Sequence, residues 1–204
     1  MDQRYIYVVF SSTPYKMGKL IRSVTRDEFN HVSISLDKEL TQMYSFARRH
    51  YRLPLYGGFV HESPSRYYVK GKTADICLCA LPVSPRKYLA LSNLLKDMDR
   101  KSRTYLYNHL SALGAVIRRP VRARDAYTCV EFCVKILQDL EIQIPPATYY
   151  SVGDIHKLLA PFAIYNGPMP ASSGFDAAYF AKKPIPHPVR TTLRDMVRLI
   201  PRLK

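Results

Sequence analysis

Residues 126–142 read AYTCVEFCVKILQDLEI, and this stretch fixes where a helix begins and what stands at its start. Val130, Cys133, Val134, Leu137 and Leu140 recur at helical spacing. The run stops before Pro145-Pro146, which cannot continue a helix. Thr128 and Glu131 match the capping box, in which a Thr hydroxyl and a Glu carboxylate three residues on each satisfy a free backbone N–H. Cys129 is then the first helical residue. A thiol there faces unpaired N–H groups and the positive end of the helix dipole, which favour thiolate and should lower its pKa. The plain alternative is an inert cysteine packed under a helix start.

Working outward, NHVSISLD (residues 30–37) alternates as a strand does. Val32, Ile34 and Leu36 point one way; His31, Ser33 and Ser35 point the other. Lys38 and Glu39 make a turn, and TQMYSFAR (residues 41–48) forms the second strand of a hairpin. Residues 4–10 give a first strand rich in β-branched and aromatic residues. GFVHES (58–63) is a short strand, and ADICLCALPV (74–83) is an apolar, central one. A helix is expected over 84–101, with Ser84 as cap, Pro85 at its first position and Tyr88, Leu91, Leu94, Leu95 and Met98 on one stripe. Shorter helices or turns are expected at 17–25, 105–113 and 151–159, and an extended loop at 167–188.

A thiolate nucleophile needs a proton acceptor that later protonates the leaving group. Of the six histidines, His31 is the most constrained, because a strand holds an imidazole rigidly. A third group should orient the ring. Ser45, on the next strand, is the first candidate; Glu62 or a backbone carbonyl is the alternative.

The order of these motifs carries a resemblance. NHVSISLD, then MYSF, then TCVEF much later, resembles the circularly permuted branch of the papain-like cysteine peptidase superfamily. That branch comprises NlpC-type amidases and peptidases and lecithin:retinol acyltransferase-like proteins. It covers roughly residues 4–140. The resemblance implies an α+β fold in which an antiparallel sheet bears His31 and packs on the helix opened by Cys129. It implies acyl transfer through a thioester, with Cys129, His31 and Ser45 as catalytic residues and a peptide, amide or acyl substrate. Tyr107 is placed by position to shape the site, and Tyr107, Glu131 and Glu62 are candidates for substrate binding or the oxyanion pocket. In two respects the chain departs from the family pattern: Ser45 stands where His, Asn, Gln or an acid is common, and Val130 follows the cysteine where Ser is frequent. The implied activity is peptidase or amidase. An acyltransferase or lipid-directed thiol hydrolase is the second enzyme reading, and a catalytically silent basic module on the same fold is the third.

The 204 residues suit one domain. The catalytic domain is expected over 1–165, with a Pro/Gly-rich loop and basic segment over 166–204 packed on it or extending from it. Hydrophobic residues make up 47%, which excludes a disordered chain. Lys and Arg number 31 against 16 acidic residues, a net charge of +15. That surplus favours an anionic partner, nucleic acid or membrane, or is simply a solvated basic surface. The basic runs YSFARRHYR (44–52) and VIRRPVRAR (116–124) carry no nucleic-acid module signature and read as loops at the rim of the site.

The pairs Cys77/Cys79 and Cys129/Cys133 lie in a strand and a helix rather than in knuckle loops, so neither a zinc site nor any cofactor is expected. Gly57-Gly58 lacks the Lys-Ser/Thr of a phosphate loop. The cysteine spacing does not suit a secreted disulfide framework, no secretory signal is read, and a cytoplasmic setting is expected. Leu193, Met196, Val197 and Ile200 sit at helical spacing in the basic C-terminal segment. That segment either packs on its own domain or lies on an anionic membrane.

Overall fold

Strand β1 (Arg4–Ser11) buries Ile6, Val8 and Phe10 on one face and Val9 on the other, as an inner strand must. The computed structural model describes residues 3–13, 27–69, 71–114, 118–171, 174–181 and 186–203, so the helix or turn expected at 17–25 lies outside the described residues. After β1 come β2 (His31–Ser35), β3 (Met43–Arg48) and β4 (Gly57–Glu62). A two-stranded ribbon, β5 (Tyr68–Val69) with β6 (Lys72–Thr73), precedes the long strand β7 (Asp75–Val83). Then follow α1 (Pro85–Arg100), β8 (Leu106–Tyr107), α2 (His109–Gly114), β9 (Ala126–Tyr127) and α3 (Cys129–Asp139). The chain continues through α4 (Val152–Leu159), β10 (Ala163–Pro168), α5 (Ala177–Phe180) and α6 (Pro186–Leu199).

The fold is α+β. Among the described residues, eight strands form one sheet in the order β10-β7-β1-β2-β3-β4-β8-β9. All pairings are antiparallel except that of β8 with β9. The expected hairpin is present: β2 and β3 pair Ile34 with Tyr44 and Ser35 with Met43. Its turn is held by Asp37, whose carboxylate accepts the Thr41 N–H at 2.7 Å.

One face of the sheet carries Val32, Ile34, Phe46 and Phe59, and against it packs the buried side of α3: Phe132, Cys133, Ile136 and Leu137. Phe132 meets Phe46 at 5.3 Å and Phe59 at 5.7 Å between ring centroids, within the range of favourable aromatic pairs. The other face holds a smaller apolar cluster, including Val9, Met43, Tyr67 and Ile76.

Several expectations are corrected. Residues 105–113 divide into a short strand and a helix, because Leu106 pairs with Gly58 on one side and Ala126 on the other. Ala126 and Tyr127, just ahead of the Thr128 cap, are strand. β10 crosses the position where the domain boundary was drawn and pairs with β7, despite being mostly exposed. Inside the expected loop, Asp176 caps α5 by accepting the Tyr179 N–H at 2.9 Å.

Gly57 and Gly58 serve the approach of two strands. A Cβ on Gly58 would lie 2.6 Å from the Tyr105 carbonyl oxygen, and one on Gly57 would lie 2.8 Å from Tyr107 Cβ. The pair thus lets β8 lie against β4 and brings Tyr107 to the site.

Candidate functional site

Both halves of the capping box at α3 are formed. Glu131 donates its N–H to Thr128 Oγ1 at 3.2 Å, and Thr128 donates its N–H to Glu131 Oε2 at 2.7 Å. These bonds fix Cys129 at the first helical position, where its own N–H has no partner within the helix. The Cys129 side chain lies at the wall of a cavity of about 880 Å³, and His31, Glu62 and Tyr107 line the same cavity.

His31 opens β2, opposite Ser11 of β1, and its imidazole reaches the start of α3. Cys129 adjoins the ring closely enough to favour its protonated form. On the other side, His31 Nε2 lies 2.9 Å from Glu62 Oε1. Glu62 ends β4, and the β3–β4 register of Met43 with Glu62 and Ser45 with Val60 turns its carboxylate onto the face shared by Ser45. The side chains of His31 and Glu62 retain only 12% and 3% of their exposure, so the pair is almost wholly removed from water.

A buried carboxylate needs donors, and Glu62 has four. Oε1 accepts from His31, from Ser33 Oγ at 3.4 Å and from Ser45 Oγ; Oε2 accepts the Tyr67 hydroxyl. Burial alone would disfavour both charges. The mutual attraction of the pair, together with the proximity of Cys129 to His31 and of Arg66 to Glu62 and the hydrogen bond from Ser45 to Glu62, outweighs it. The imidazole is consequently pushed up to about 10 and the carboxyl held down at about 2. Across the neutral range the pair is imidazolium and carboxylate.

Ser45 does not take the place expected of it. Its hydroxyl donates to Glu62, and Glu62 is the group that contacts the ring. A hydroxyl has one proton to give, and the nearby carboxylate is the stronger acceptor. Glu131 is spent on structure: besides capping α3 it accepts the Ser111 hydroxyl, tying α2 to α3. Tyr107 stands beside Cys129. Burial, then the proximity of Cys129 and Glu131, drives its phenol well above the ordinary value and keeps it a neutral hydrogen-bond donor.

Tyr67 and Ser33 complete the carboxylate's shell. Ser33 was legible as a neighbour of His31 on its face; Tyr67, in the 3-10 turn Pro64–Tyr67, carried no signal in the sequence. The C-terminal region adds Tyr179 to the cavity wall. It is held there by Asp176, which binds Arg66 Nε at 2.6 Å, while the Arg66 guanidinium lies 4.6 Å from the Tyr179 ring centre.

Of the other described histidines, His109 lines the cavity beside Tyr107, with ring centroids 4.9 Å apart, whereas His50 binds the Ala181 carbonyl, His61 binds the Thr41 carbonyl, and His156 packs against Phe10 and Phe29. All four thiols are free and buried, and burial raises those of Cys77, Cys79 and Cys133. Among the described residues no cluster of three His, Cys, Asp or Glu side chains forms a metal site, and no helix is long and apolar enough to cross a membrane. No protein-family model, no curated protein and no solved structure matches the chain.

Proposed function

We propose that the chain is a cysteine-nucleophile hydrolase of papain-like, permuted NlpC type, acting on an amide or ester through a thioester. The reading rests on one observation: a cysteine at a capped helix start shares a cavity with an imidazole that a buried carboxylate grips from the far side.

With Nε2 engaged by Glu62, Nδ1 carries the second proton of the imidazolium, drawn from the Cys129 thiol, so sulfur and ring stand as a thiolate–imidazolium pair. The Cys129 sulfur attacks the substrate carbonyl carbon and forms a C–S bond. The Cys129 N–H, unpaired at the helix start, steadies the oxyanion, and the neutral Tyr107 phenol adjoins it. His31 returns its proton to the departing nitrogen or oxygen as the C–N or C–O bond breaks. Water, deprotonated by His31, then attacks the thioester, and the C–S bond breaks to restore the thiol. Glu62 holds the ring's orientation and stabilises the imidazolium without taking its proton. Ser45, Ser33 and Tyr67 position Glu62.

The size of the cavity favours a second reading on the same residues: an acceptor other than water enters and carries off the acyl group. The two differ only in the final nucleophile.

Two measurements test the proposal. Iodoacetamide at neutral pH is expected to label Cys129 before Cys77, Cys79 or Cys133, and His31→Ala is expected to abolish that preference. A panel of p-nitrophenyl esters, followed by intact mass, is expected to leave an acyl adduct on Cys129. Cys129→Ala should show none, with turnover down at least ~1000-fold. Equal labelling of all four thiols, or ester turnover unchanged in Cys129→Ala, overturns the assignment.

A further inference from the structure

Helix α6 is oriented the opposite way from an ordinary surface helix. Its inward positions are Thr191, 9% exposed, Asp195, whose side chain is 12% exposed, and Leu199, 3% exposed. Its outward positions carry the aliphatic residues: Val189 (48% exposed), Leu193 (59%), Met196 (37%) and Val197 (65%), continued by Ile200 (64%). At spacings of four, three, one and three these five form one stripe along the helix. Arg190, Arg194 and Arg198 run beside that stripe at four-residue steps. Residues 186–204 hold five basic residues and a single acid, Asp195, which Arg194 and Arg198 flank at 3.8 and 3.3 Å.

The stripe continues into the cavity mouth. Met196 lines the cavity, as do Leu113 and Leu55, exposed by 71% and 46%. Arg48, Arg122 and Arg124 line it too, so apolar and cationic groups share one rim.

From this geometry we propose that α6 and the cavity rim form a docking surface for an anionic lipid bilayer, which seats the mouth of the cavity against the membrane. Aliphatic side chains would enter the acyl boundary while the arginines beside them meet acidic headgroups. Charge decides against a second copy of the chain, because two molecules of net charge +15 repel. A nucleic acid is disfavoured because the five exposed side chains of the stripe are aliphatic and offer no ring for a base to stack on. The inference rests on α6 and the rim, independently of the chemistry assigned to Cys129.

The test is flotation of the full chain with phosphatidylcholine vesicles, with and without phosphatidylserine, at low and high salt. Binding is expected only to the phosphatidylserine vesicles and weakens with salt. Leu193→Glu/Val197→Glu, at exposed positions that leave the fold intact by circular dichroism, is expected to cut the bound fraction at least ~10-fold. Arg190→Glu/Arg194→Glu is expected to weaken binding as well, and Cys129→Ala to float as the parent does. The proposal is overturned by no flotation on phosphatidylserine vesicles, or by flotation indifferent to Leu193→Glu/Val197→Glu. It is equally overturned if sedimentation shows self-association that this double variant abolishes without any vesicle binding, or if an oligonucleotide binds in a manner sensitive to the double variant while vesicles do not.

Discussion

Strands β2, β3 and β4 present two faces of similar burial and opposite chemistry. One face sets Val32, Ile34, Phe46 and Phe59 against Phe132 of α3. The other buries Ser33, Ser45 and Glu62 around the edge of His31, beside the apolar Met43 and Val60. The apolar face stabilises the molecule in proportion to the area it removes from water. The polar face gains little by that measure, because a buried ion pair must first recover the hydration it has lost. A fold seeking stability alone would fill that face with aliphatic residues. On the proposed function, the carboxylate with four donors serves the chemistry of that face, while the apolar face is the platform that holds α3, and hence Cys129, in place.

The largest break in this comparison is Phe46→Ala. Phe46 is fully buried and touches Phe59, Phe132 and Tyr127, so its loss should cost about 3–5 kcal/mol in urea unfolding. Cys129 of the folded fraction should still alkylate selectively, since the polar face is untouched.

Glu62→Gln inverts that outcome. It keeps the shape, costs about 1–3 kcal/mol through the loss of a charged acceptor, and removes the charge that raises His31. In the parent the raised imidazole contributes stability fully below about 6.5, and this contribution is lost as pH climbs through about 10. The lowered carboxyl contributes above about 4.5 and loses its share as pH falls toward 2. The parent's melting temperature should therefore drop on the alkaline side near 10, and Glu62→Gln should flatten that drop. The alkaline limb of the ester-turnover profile should move to lower pH in the variant. A limb that does not move would separate Glu62 from the ring's proton.

Ser45→Ala is the smallest change. It removes one of four donors to Glu62 and should cost about 0.5–1.5 kcal/mol. If Ser45 acts only through Glu62, turnover should fall by about tenfold or less, with the alkaline limb displaced the same way as in Glu62→Gln but less. A loss as deep as that of His31→Ala would restore Ser45 to the ring itself.

How much of this was legible follows from the range of each interaction. The Thr128/Glu131 cap, the alternation that puts His31 and Ser33 on one face, the hairpin from β2 to β3 and the Ser84 cap of α1 are contacts within a few residues, and each was readable. The failures are the contacts that span long stretches of chain. Which residue grips His31 depended on the β3–β4 register, because Ser45 and Glu62 share a face and only the pairing decides whose oxygen reaches the ring. The β8–β9 pairing turned part of the helix or turn expected at 105–113 into strand for the same reason.

In α6 the sequence determined that an apolar stripe and a row of arginines exist, by the helical period alone. Only the tertiary structure decided which way the stripe faces, since Thr191 and Leu199 took the inward positions. Local hydrogen bonding and periodicity are written in neighbouring residues. The choice of partner across the sheet, and of the face turned to water, is made by the packing of the whole chain.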